Sequence, residues 1–273
     1  KNHNFVFSFR DRVQLYRDTI RSRSERRYVL KQLLSMADHE KTLSVIIPSY
    51  NEGKTICHIL TRVLSVLLPF EIKKEIVVVD DGSADETGML VESFIREHPE
   101  VPIKYVVHDI NRGKGMAIRT GIKHITGEYV IIQDADLEYD PHDYSLLLPY
   151  LHSGEYSVVY GSRFLNRQNR HSYPAFYWGG RLVSFIASLL YGQVLTDEPT
   201  CYKMFKSSLL KSIPLDCTGF EFCPEITAKV LKKGYKIKEV AISYTPRSME
   251  DGKKIKWTDG LEAIWVLLKY RIR

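Results

Sequence analysis

The sequence lacks the long apolar runs and the paired cysteines that define several common protein classes. No apolar run reaches the roughly 18 to 20 residues of a membrane-spanning helix, and the first residues show no signal-peptide pattern. The four cysteines have no C-x-x-C spacing, so they predict neither a zinc site nor a disulfide framework. They are Cys57, Cys201, Cys217 and Cys223. A reduced, cytoplasmic setting is the expectation. The chain opens with Lys1, which is compatible with a piece of a longer protein.

Positive charge is concentrated near the start of the chain. The net charge is +6, and residues 10–34 hold eight Lys and Arg against three acids, which leaves +1 for the remainder. One interpretation of this segment is a solvated helix, and the other is a surface that binds anionic lipid headgroups. The second interpretation adds a possible location to the cytoplasmic setting, which is a peripheral position on the cytoplasmic membrane face. Nucleic acid is the less favoured partner. Residues 1–41 are predicted to form a basic helical extension, and residues 42–273 the main domain.

The first half of the main domain alternates strands with helices. Apolar runs predict strands at 43–47, 75–79, 103–107 and 129–132. Predicted helices occupy residues 54–68, about 83–97 and about 115–126, the second opened by a capping box from Ser83 to Glu86. This order predicts an α/β domain with a mostly parallel sheet covered on both faces.

The second half is less regular. It holds a predicted strand at 158–163, a helix at 222–233, a strand at 235–244, a basic loop at 246–256 and a closing helix at 257–270. Residues 173–195 are aromatic and apolar. Such a stretch either packs into the core or lies on a membrane surface.

Acidic residues follow the predicted strand at 129–132. Asp134 and Asp136 stand one residue apart, and Glu138 comes at the next alternate position. An isolated D-x-D is more often a polar turn, but polar residues also follow the other predicted strands. Ligands bind at the carboxyl ends of such strands, so these groups predict one site. Hard oxygen ligands suit Mg²⁺ or Mn²⁺ together with a substrate phosphate.

An aromatic residue and further acids suit a nucleoside diphosphate at the same site. Tyr50 can stack on a base, and Glu52 or Asp80 can accept hydrogen bonds from the base or the ribose. Basic side chains would neutralise the charge that develops on the departing diphosphate.

Five motifs in this order carry a family resemblance. They are Ile-Ile-Pro-Ser-Tyr-Asn-Glu (46–52), Val-Val-Asp-Asp-Gly-Ser (78–83), Asn-Arg-Gly-Lys-Gly (111–115), Asp-Ala-Asp (134–136) and Gly-Ser-Arg (161–163). The sequence resembles family-2 glycosyltransferases of the GT-A fold, and within them the dolichyl- and polyprenyl-phosphate hexose synthases. The resemblance extends over about residues 43–270. It implies transfer of a hexose from a nucleotide sugar, of UDP-glucose or GDP-mannose type, to a lipid phosphate.

The resemblance also implies roles for individual residues. The nucleotide would be held by Pro48, Tyr50, Glu52, Asp80, Asp81, Lys114 and Ala135. The metal would be held by Asp134, Asp136 and Glu138. Arg163 and Arg247 resemble phosphate-binding arginines, and Lys253 resembles a lysine that approaches the acceptor or the diphosphate. Residues 197–203 resemble the acceptor-loop region, although they match the mannosyl-type pattern loosely.

The implied reaction is a single displacement with inversion at the sugar carbon. A lipid phosphate is already ionised at neutral pH and needs orientation more than deprotonation. A hydroxyl acceptor would need a base, for which Glu221 and Glu225 are the candidates; a structural acid at a helix start is the other interpretation of both. The alternative functions are a soluble family-2 transferase acting on a saccharide or protein hydroxyl, and a non-catalytic nucleotide-sugar binding module.

Overall fold

The structure is a computed structural model that describes residues 41–170, 173–247 and 257–272. The predicted basic extension lies outside the described residues except for its last position, and Lys253 in the basic loop lies outside them as well. The division of the chain near residue 41 therefore stays a prediction.

The described residues form one sheet of seven strands. The strands are β1 (Thr42–Ser49), β2 (Lys73–Asp80), β3 (Ile103–Val107), β4 (Tyr129–Ile132), β5 (Val158–Ser162), β6 (Lys203–Lys206) and β7 (Ile237–Ala241). Their order across the sheet is β3-β2-β1-β4-β6-β5-β7. All neighbours pair in parallel except β6, which is antiparallel to both β4 and β5. The predicted mostly parallel α/β fold is confirmed, and the antiparallel β6 was not predicted.

Helices cover both faces of the sheet. They are α1 (Ile56–Ser65), α2 (Thr87–Glu97), α3 (Lys114–His124), α4 (Tyr144–His152), α5 (Pro174–Tyr191), α6 (Ser207–Lys211), α7 (Phe222–Lys232) and α8 (Trp257–Ile272), with 3₁₀ turns at Pro69–Glu71 and Pro141–Asp143. Among the described residues, no helix combines the length and the apolar character that crossing a bilayer requires.

Strand β1 shows why the central strands are continuous apolar runs. Ile46 packs into one core cluster together with side chains of α3, α5, α7 and α8. Val45 and Ile47 point to the other face and pack with α1, α2 and α4. Because successive side chains enter opposite cores, both faces of the strand must be apolar. The buried strands then end in register, with Ser49 of β1 opposite Asp80 of β2.

The predicted capping box at Ser83 is wrong. Helix α2 begins four residues later, at Thr87, and has no side-chain cap at Glu86. Ser83 Oγ instead accepts a hydrogen bond from Asn51 N at 2.9 Å, and Asp85 accepts one from Gly53 N at 3.0 Å. Ser83 thus connects the loops that follow β1 and β2, while Asp85 does so through one oxygen and accepts from Thr87 N, at the start of α2, through the other at 3.0 Å.

Candidate active site

A cleft with about 1020 Å³ of open space lies at the carboxyl ends of the strands. Most of the residues that the sequence assigned to a site line this cleft. They are Pro48, Tyr50, Glu52, Asp81, Lys114, Asp134, Ala135, Asp136, Glu138, Arg163 and Arg247. Cys201, from the stretch at 197–203, lines it as well, and so does Phe220, which the sequence did not single out. Asp80, Glu221 and Glu225 are not among the lining residues.

The end of β4 is fixed by a buried glutamine that sequence reasoning missed. Gln133 is fully buried, and its Oε1 accepts hydrogen bonds from Tyr144 Oη and Tyr202 Oη, both at 2.6 Å. A buried amide with two buried phenol donors holds one orientation. The segment that carries the carboxylates therefore begins at a residue whose position is fixed. The signal in the sequence was a glutamine directly after the apolar run of β4.

Asp134 forms an ion pair across the cleft with Lys114. The Lys114 Nζ lies 2.5 Å from Asp134 Oδ1 and 3.0 Å from Cys201 Sγ. Burial by itself would raise the pKa of Asp134, but the neighbouring ammonium group lowers it below its usual value. Lys114 is the first residue of α3 and follows Gly113, whose φ of 92° is in the range that favours glycine. The sharp turn at Gly113 thus directs Lys114 into the cleft.

Asp136 is paired with Arg247 but lies among other acids. Arg247 Nη2 is 2.6 Å from Asp136 Oδ2. Burial raises the pKa of Asp136 to about 7, with further contributions from the charges of Asp134 and Glu138. Leu137, between the two acids, has a φ of 64°, which is uncommon for a branched residue. Such local strain is typical of functional sites.

Glu138 has partners of its own. Its Oε1 accepts a hydrogen bond from Arg247 N at 2.8 Å, and its Oε2 accepts one from Tyr244 Oη at 2.9 Å. These bonds attach the segment after β7 to the turn after β4. Each carboxylate oxygen keeps a second lone pair, so these bonds by themselves do not exclude the predicted role of Glu138 as a third metal ligand.

The donor set fits a divalent cation at Asp134 and Asp136. Both carboxylates are largely buried, and three acids share this turn, so a cation would relieve their mutual repulsion. Lys114 and Arg247 now provide the compensating charge. Among residues 41–170, 173–247 and 257–272, no group of three or more His, Cys, Asp or Glu side chains is already arranged around a metal position.

Arg163 is held by a carboxylate that sequence reasoning did not identify. Its Nε and Nη2 donate to the two oxygens of the fully buried Asp197 at 2.8 and 2.7 Å. Asp197 is held in turn, since its backbone N–H donates to Glu239 on β7 at 2.9 Å. A bidentate arginine–carboxylate pair fixes the guanidinium plane. Asp197 lies in the region that resembles the acceptor loop, which was the available signal.

Glu225 serves α7 and not the cleft. It accepts hydrogen bonds from the backbone N–H groups of Asp216 and Cys217, both at 2.8 Å, and it pairs with Lys229 at 2.5 Å. Burial alone would raise the pKa of Glu225, but these bonds lower it to about 2. Glu221 similarly accepts from two backbone N–H groups of its own loop. The structure thus gives both candidate bases the structural role that was the alternative interpretation.

Asp80 and Asp81, at the end of β2, hold loops in place. Asp80 accepts hydrogen bonds from Ser83 N and Tyr105 Oη, each at 2.9 Å. Asp81 accepts from the backbone N–H groups of residues 112 and 113 at 2.9 and 2.7 Å, and it contacts His108 Nδ1 at 2.7 Å. Asp81 thereby sets the loop that presents Lys114.

The family of the chain follows from a comparison of sequences. Residues 44–213 match the sequence model described as "Glycosyl transferase family 2", which is more than half of the chain. The chain belongs to this family. As a family-2 glycosyltransferase it is a hexosyltransferase, and its sheet with the cleft at the carboxyl ends of the strands is of the GT-A type.

Two relatives are named as a glucosyltransferase and a hexosyltransferase. The chain is 29% identical over 242 residues to dolichyl-phosphate beta-glucosyltransferase ALG5A of Trichomonas vaginalis, an alignment of 84% of this chain and 73% of that protein. It is 28% identical over 226 residues to low-salt glycan biosynthesis hexosyltransferase Agl6 of Haloferax volcanii. That alignment includes 80% of this chain and only 52% of the relative.

Among solved structures, the glucosyl-3-phosphoglycerate synthase of Mycobacterium tuberculosis is similar in fold. The superposition has a TM-score of 0.65 and includes 88% of this chain and 82% of that protein, at 18% identity. That enzyme was crystallised with Mn²⁺, UDP and phosphoglyceric acid, and also with Mg²⁺ and UDP. At this level of identity the likeness concerns the fold alone.

Proposed function

We propose that this glycosyltransferase moves a hexose from a nucleoside-diphosphate sugar to a polyprenyl or dolichyl phosphate, with Mg²⁺ or Mn²⁺ as cofactor. The observation that carries the proposal is the composition of the cleft. Three carboxylates at the end of β4 face three cationic side chains, Lys114, Arg163 and Arg247. Cationic side chains would neutralise the charge of a donor diphosphate and of an acceptor phosphate. The carboxylates would hold the divalent cation that stabilises the leaving diphosphate.

Residues at the end of β1 are proposed to hold the nucleoside. Tyr50 is partly exposed, at 37%, and its ring can stack on a base. Glu52 lies in the same wall, where its Oε2 accepts from Thr55 Oγ1 at 3.0 Å, and its carboxylate is proposed to accept from the base or the ribose as well. Pro48, Ala135 and Asp81 complete this part of the cleft.

Asp134 and Asp136 are proposed to hold the divalent cation, which would link the enzyme to the diphosphate and stabilise the charge of the leaving group. In that state the carboxylates no longer need Lys114 and Arg247. Both cationic side chains already reach into the cleft, so each can exchange a carboxylate oxygen for a phosphate oxygen through a small movement. The charge of the two cations would then neutralise the departing diphosphate.

Arg163 is proposed to orient the acceptor phosphate. Its guanidinium is fixed by Asp197, and the pair carries little net charge, so Arg163 gives geometry more than attraction. Neither Glu221 nor Glu225 lines the cleft, which favours an acceptor that needs no base. A phosphate monoester meets this condition because it is ionised at neutral pH. The relative named as a dolichyl-phosphate glucosyltransferase supports the same class of acceptor.

The test is a panel of nucleotide sugars with a short polyprenyl phosphate. UDP-glucose and GDP-mannose are each supplied with Mn²⁺ or Mg²⁺, and both released nucleoside diphosphate and glycosylated lipid are measured. We expect turnover only with acceptor phosphate and divalent cation together. Transfer to a free saccharide but not to the lipid phosphate would contradict the acceptor. Full turnover in the presence of a chelator would contradict the metal.

A further inference from the structure

Helices α5 and α8 each carry a row of large apolar side chains on the outward side. On α5 the row is Trp178, Leu182, Phe185 and Leu189, and on α8 it is Leu261, Trp265, Leu268 and Ile272. The spacing is the same on both helices, i, i+4, i+7 and i+11, which places each row along one face. The most exposed members are Ile272 at 86%, Leu189 at 73% and Trp178 at 68%. We call the two rows together the outward stripe.

The stripe is opposite to the face that each helix buries. On α5 the buried residues are Val183, Ser184 and Ala187, and on α8 they are Ala263, Val266, Leu267 and Tyr270. These positions lie on the opposite side of each helix, roughly 180° around its axis from the row of the stripe. Both helices contribute to the same core cluster on one face of the sheet. Their outward rows therefore both face away from the sheet.

The two rows form one surface because the helices are in contact. α5 packs against α8, and Tyr191 Oη donates to Leu267 O at 2.7 Å. The outward face of a surface helix is normally polar. The outward stripe instead places eight large, exposed apolar side chains on two adjacent helices. Such a patch indicates contact with another apolar phase.

The composition of the stripe suits a bilayer surface. Each row contains one tryptophan, a residue that favours the boundary between water and lipid. Cationic groups lie at the margins, with Arg181 beside the row on α5 and Lys269 and Arg271 in the last turn of α8. Basic groups around an apolar surface match anionic headgroups.

Helix α5 carries one row of the stripe and also borders the cleft. Phe164 follows the cleft residue Arg163 and lies beside Gly180 of α5, and the guanidinium of Arg181 is 5.5 Å from the Phe164 ring. Pro199, which lines the cleft, is another neighbour of Gly180. An acceptor with a phosphate head and a long apolar tail would occupy both regions at once. A second copy of the chain on this face would cover the route that such a tail takes.

We propose that the outward stripe of α5 and α8 is a docking surface for an anionic lipid bilayer. The inference rests on the proposed lipid-phosphate acceptor and adds the residues through which the enzyme reaches it. Trp178 and Trp265 enter the boundary between headgroups and acyl chains, and the flanking basic groups contact the headgroups. The cleft then opens beside the membrane that holds the acceptor.

The experiment uses the full chain and vesicles of phosphatidylcholine with and without phosphatidylglycerol. Binding is followed by flotation, and the depth of the stripe by quenching of tryptophan fluorescence with brominated lipid chains. The test variant is the double substitution Trp178→Ser, Trp265→Ser. The matched control is Leu67→Ser, Met89→Ser, which removes two equally exposed apolar residues from α2 and the loop after α1. Thermal melting and nucleotide binding report whether each variant is folded.

We expect the wild type to float with anionic vesicles and its tryptophans to be quenched. The stripe variant should lose about tenfold or more in vesicle affinity because binding scales with buried apolar area, whereas the control should bind like the wild type. Equal flotation of the stripe variant and the wild type would overturn the proposal. So would light scattering that shows a stable wild-type dimer and a monomeric variant, since the stripe would then join two copies.

Two further outcomes separate this inference from the proposed function. Turnover with a short, water-soluble polyprenyl phosphate, without any vesicle binding, would overturn the docking surface and leave the reaction standing. Stripe-dependent vesicle binding without turnover on any lipid phosphate would support the surface and contradict the proposed acceptor.

Discussion

Buried acids occur at the ends of two strands of the same sheet, and their partners differ. At the end of β2, Asp80 and Asp81 accept hydrogen bonds mainly from backbone N–H groups, a phenol and an imidazole. At the end of β4, Asp134 and Asp136 are paired with the long side chains of Lys114 and Arg247. A backbone donor cannot leave without moving its loop, whereas a lysine or arginine side chain can turn to another anion.

The kind of partner distinguishes acids that stabilise the fold from acids that are available for binding and catalysis. Acids satisfied by backbone groups fix the walls of the cleft, and Glu225 in α7 belongs to this class as well. Acids paired with lysine or arginine side chains are available to a charged ligand, because these side chains can turn away. We infer that activity depends chiefly on the second class and stability on the first.

The largest effect is expected at the end of β4. Asp134→Asn or Asp136→Asn should lower kcat by about 10³-fold or more, since a neutral amide cannot hold the cation that stabilises the leaving group. The unfolding free energy should change little for Asp136→Asn, whereas Asp134→Asn should also lower it because the ammonium group of Lys114 loses its partner. Steady-state turnover and thermal melting measure the two. Asp109→Asn, at an exposed acid after β3, is the matched control and should leave both unchanged. Retained turnover in either cleft variant would remove the metal assignment.

Glu225→Gln should have the opposite profile. The folded-state pKa of Glu225 is about 2, below the usual 4.5. The carboxylate therefore stabilises the fold above pH 4.5, and the contribution is lost as the pH falls through 2. We expect the unfolding free energy of this variant to be about 3 kcal/mol below that of the wild type at pH 7. At pH 3 the difference should be about half as large. Urea unfolding at several pH values measures it, with the exposed Glu155→Gln as control. A difference independent of pH would show that the charge is not responsible.

Asp81→Asn should cost about 2 kcal/mol of unfolding free energy, because an amide cannot accept from both backbone N–H groups and the histidine at once. Urea unfolding measures this loss. Turnover should fall only to the extent that the loop before Lys114 becomes mobile. Unchanged stability together with lost nucleotide affinity would instead move Asp81 into the ligand-binding class.

The smallest effect is expected for Lys114→Met in the absence of nucleotide. Removing the ammonium group frees Asp134, so Mn²⁺ affinity should rise by about tenfold, while the affinity for a nucleoside diphosphate should fall. The electron paramagnetic resonance of free Mn²⁺ measures the first, and calorimetry the second. Lys123→Met, exposed at the end of the same helix, should change neither. Weaker Mn²⁺ binding in Lys114→Met would contradict the exchange of partners.

Most of the parallel half of the sheet could be predicted from sequence. Strands β1, β2 and β4 are buried on both faces, so each contains an apolar run, and acids stand at or shortly after the ends of β2 and β4. Because parallel strands end at one edge, the meeting of Tyr50 with Asp134 in one cleft could be expected as well.

Strand β6 could not be predicted in this way. It has only four residues, begins with Lys203 and ends with Lys206, and depends on pairing with β4 and β5. Lys203 is fully buried, and its Nζ donates to Glu198 O at 2.5 Å and lies 3.7 Å from the centre of the Tyr160 ring. A charged residue in a core depends on such tertiary partners, which local patterns do not reveal.

The position of β6 has a consequence for how the protein is made. β4 pairs with β1 on one side, but its other edge stays open until residues 203–206 have left the ribosome. An open, apolar strand edge is prone to pair with other chains. The nascent chain therefore exposes this edge between the translation of β4 and that of β6, and we expect chaperone contacts during synthesis to concentrate in this interval.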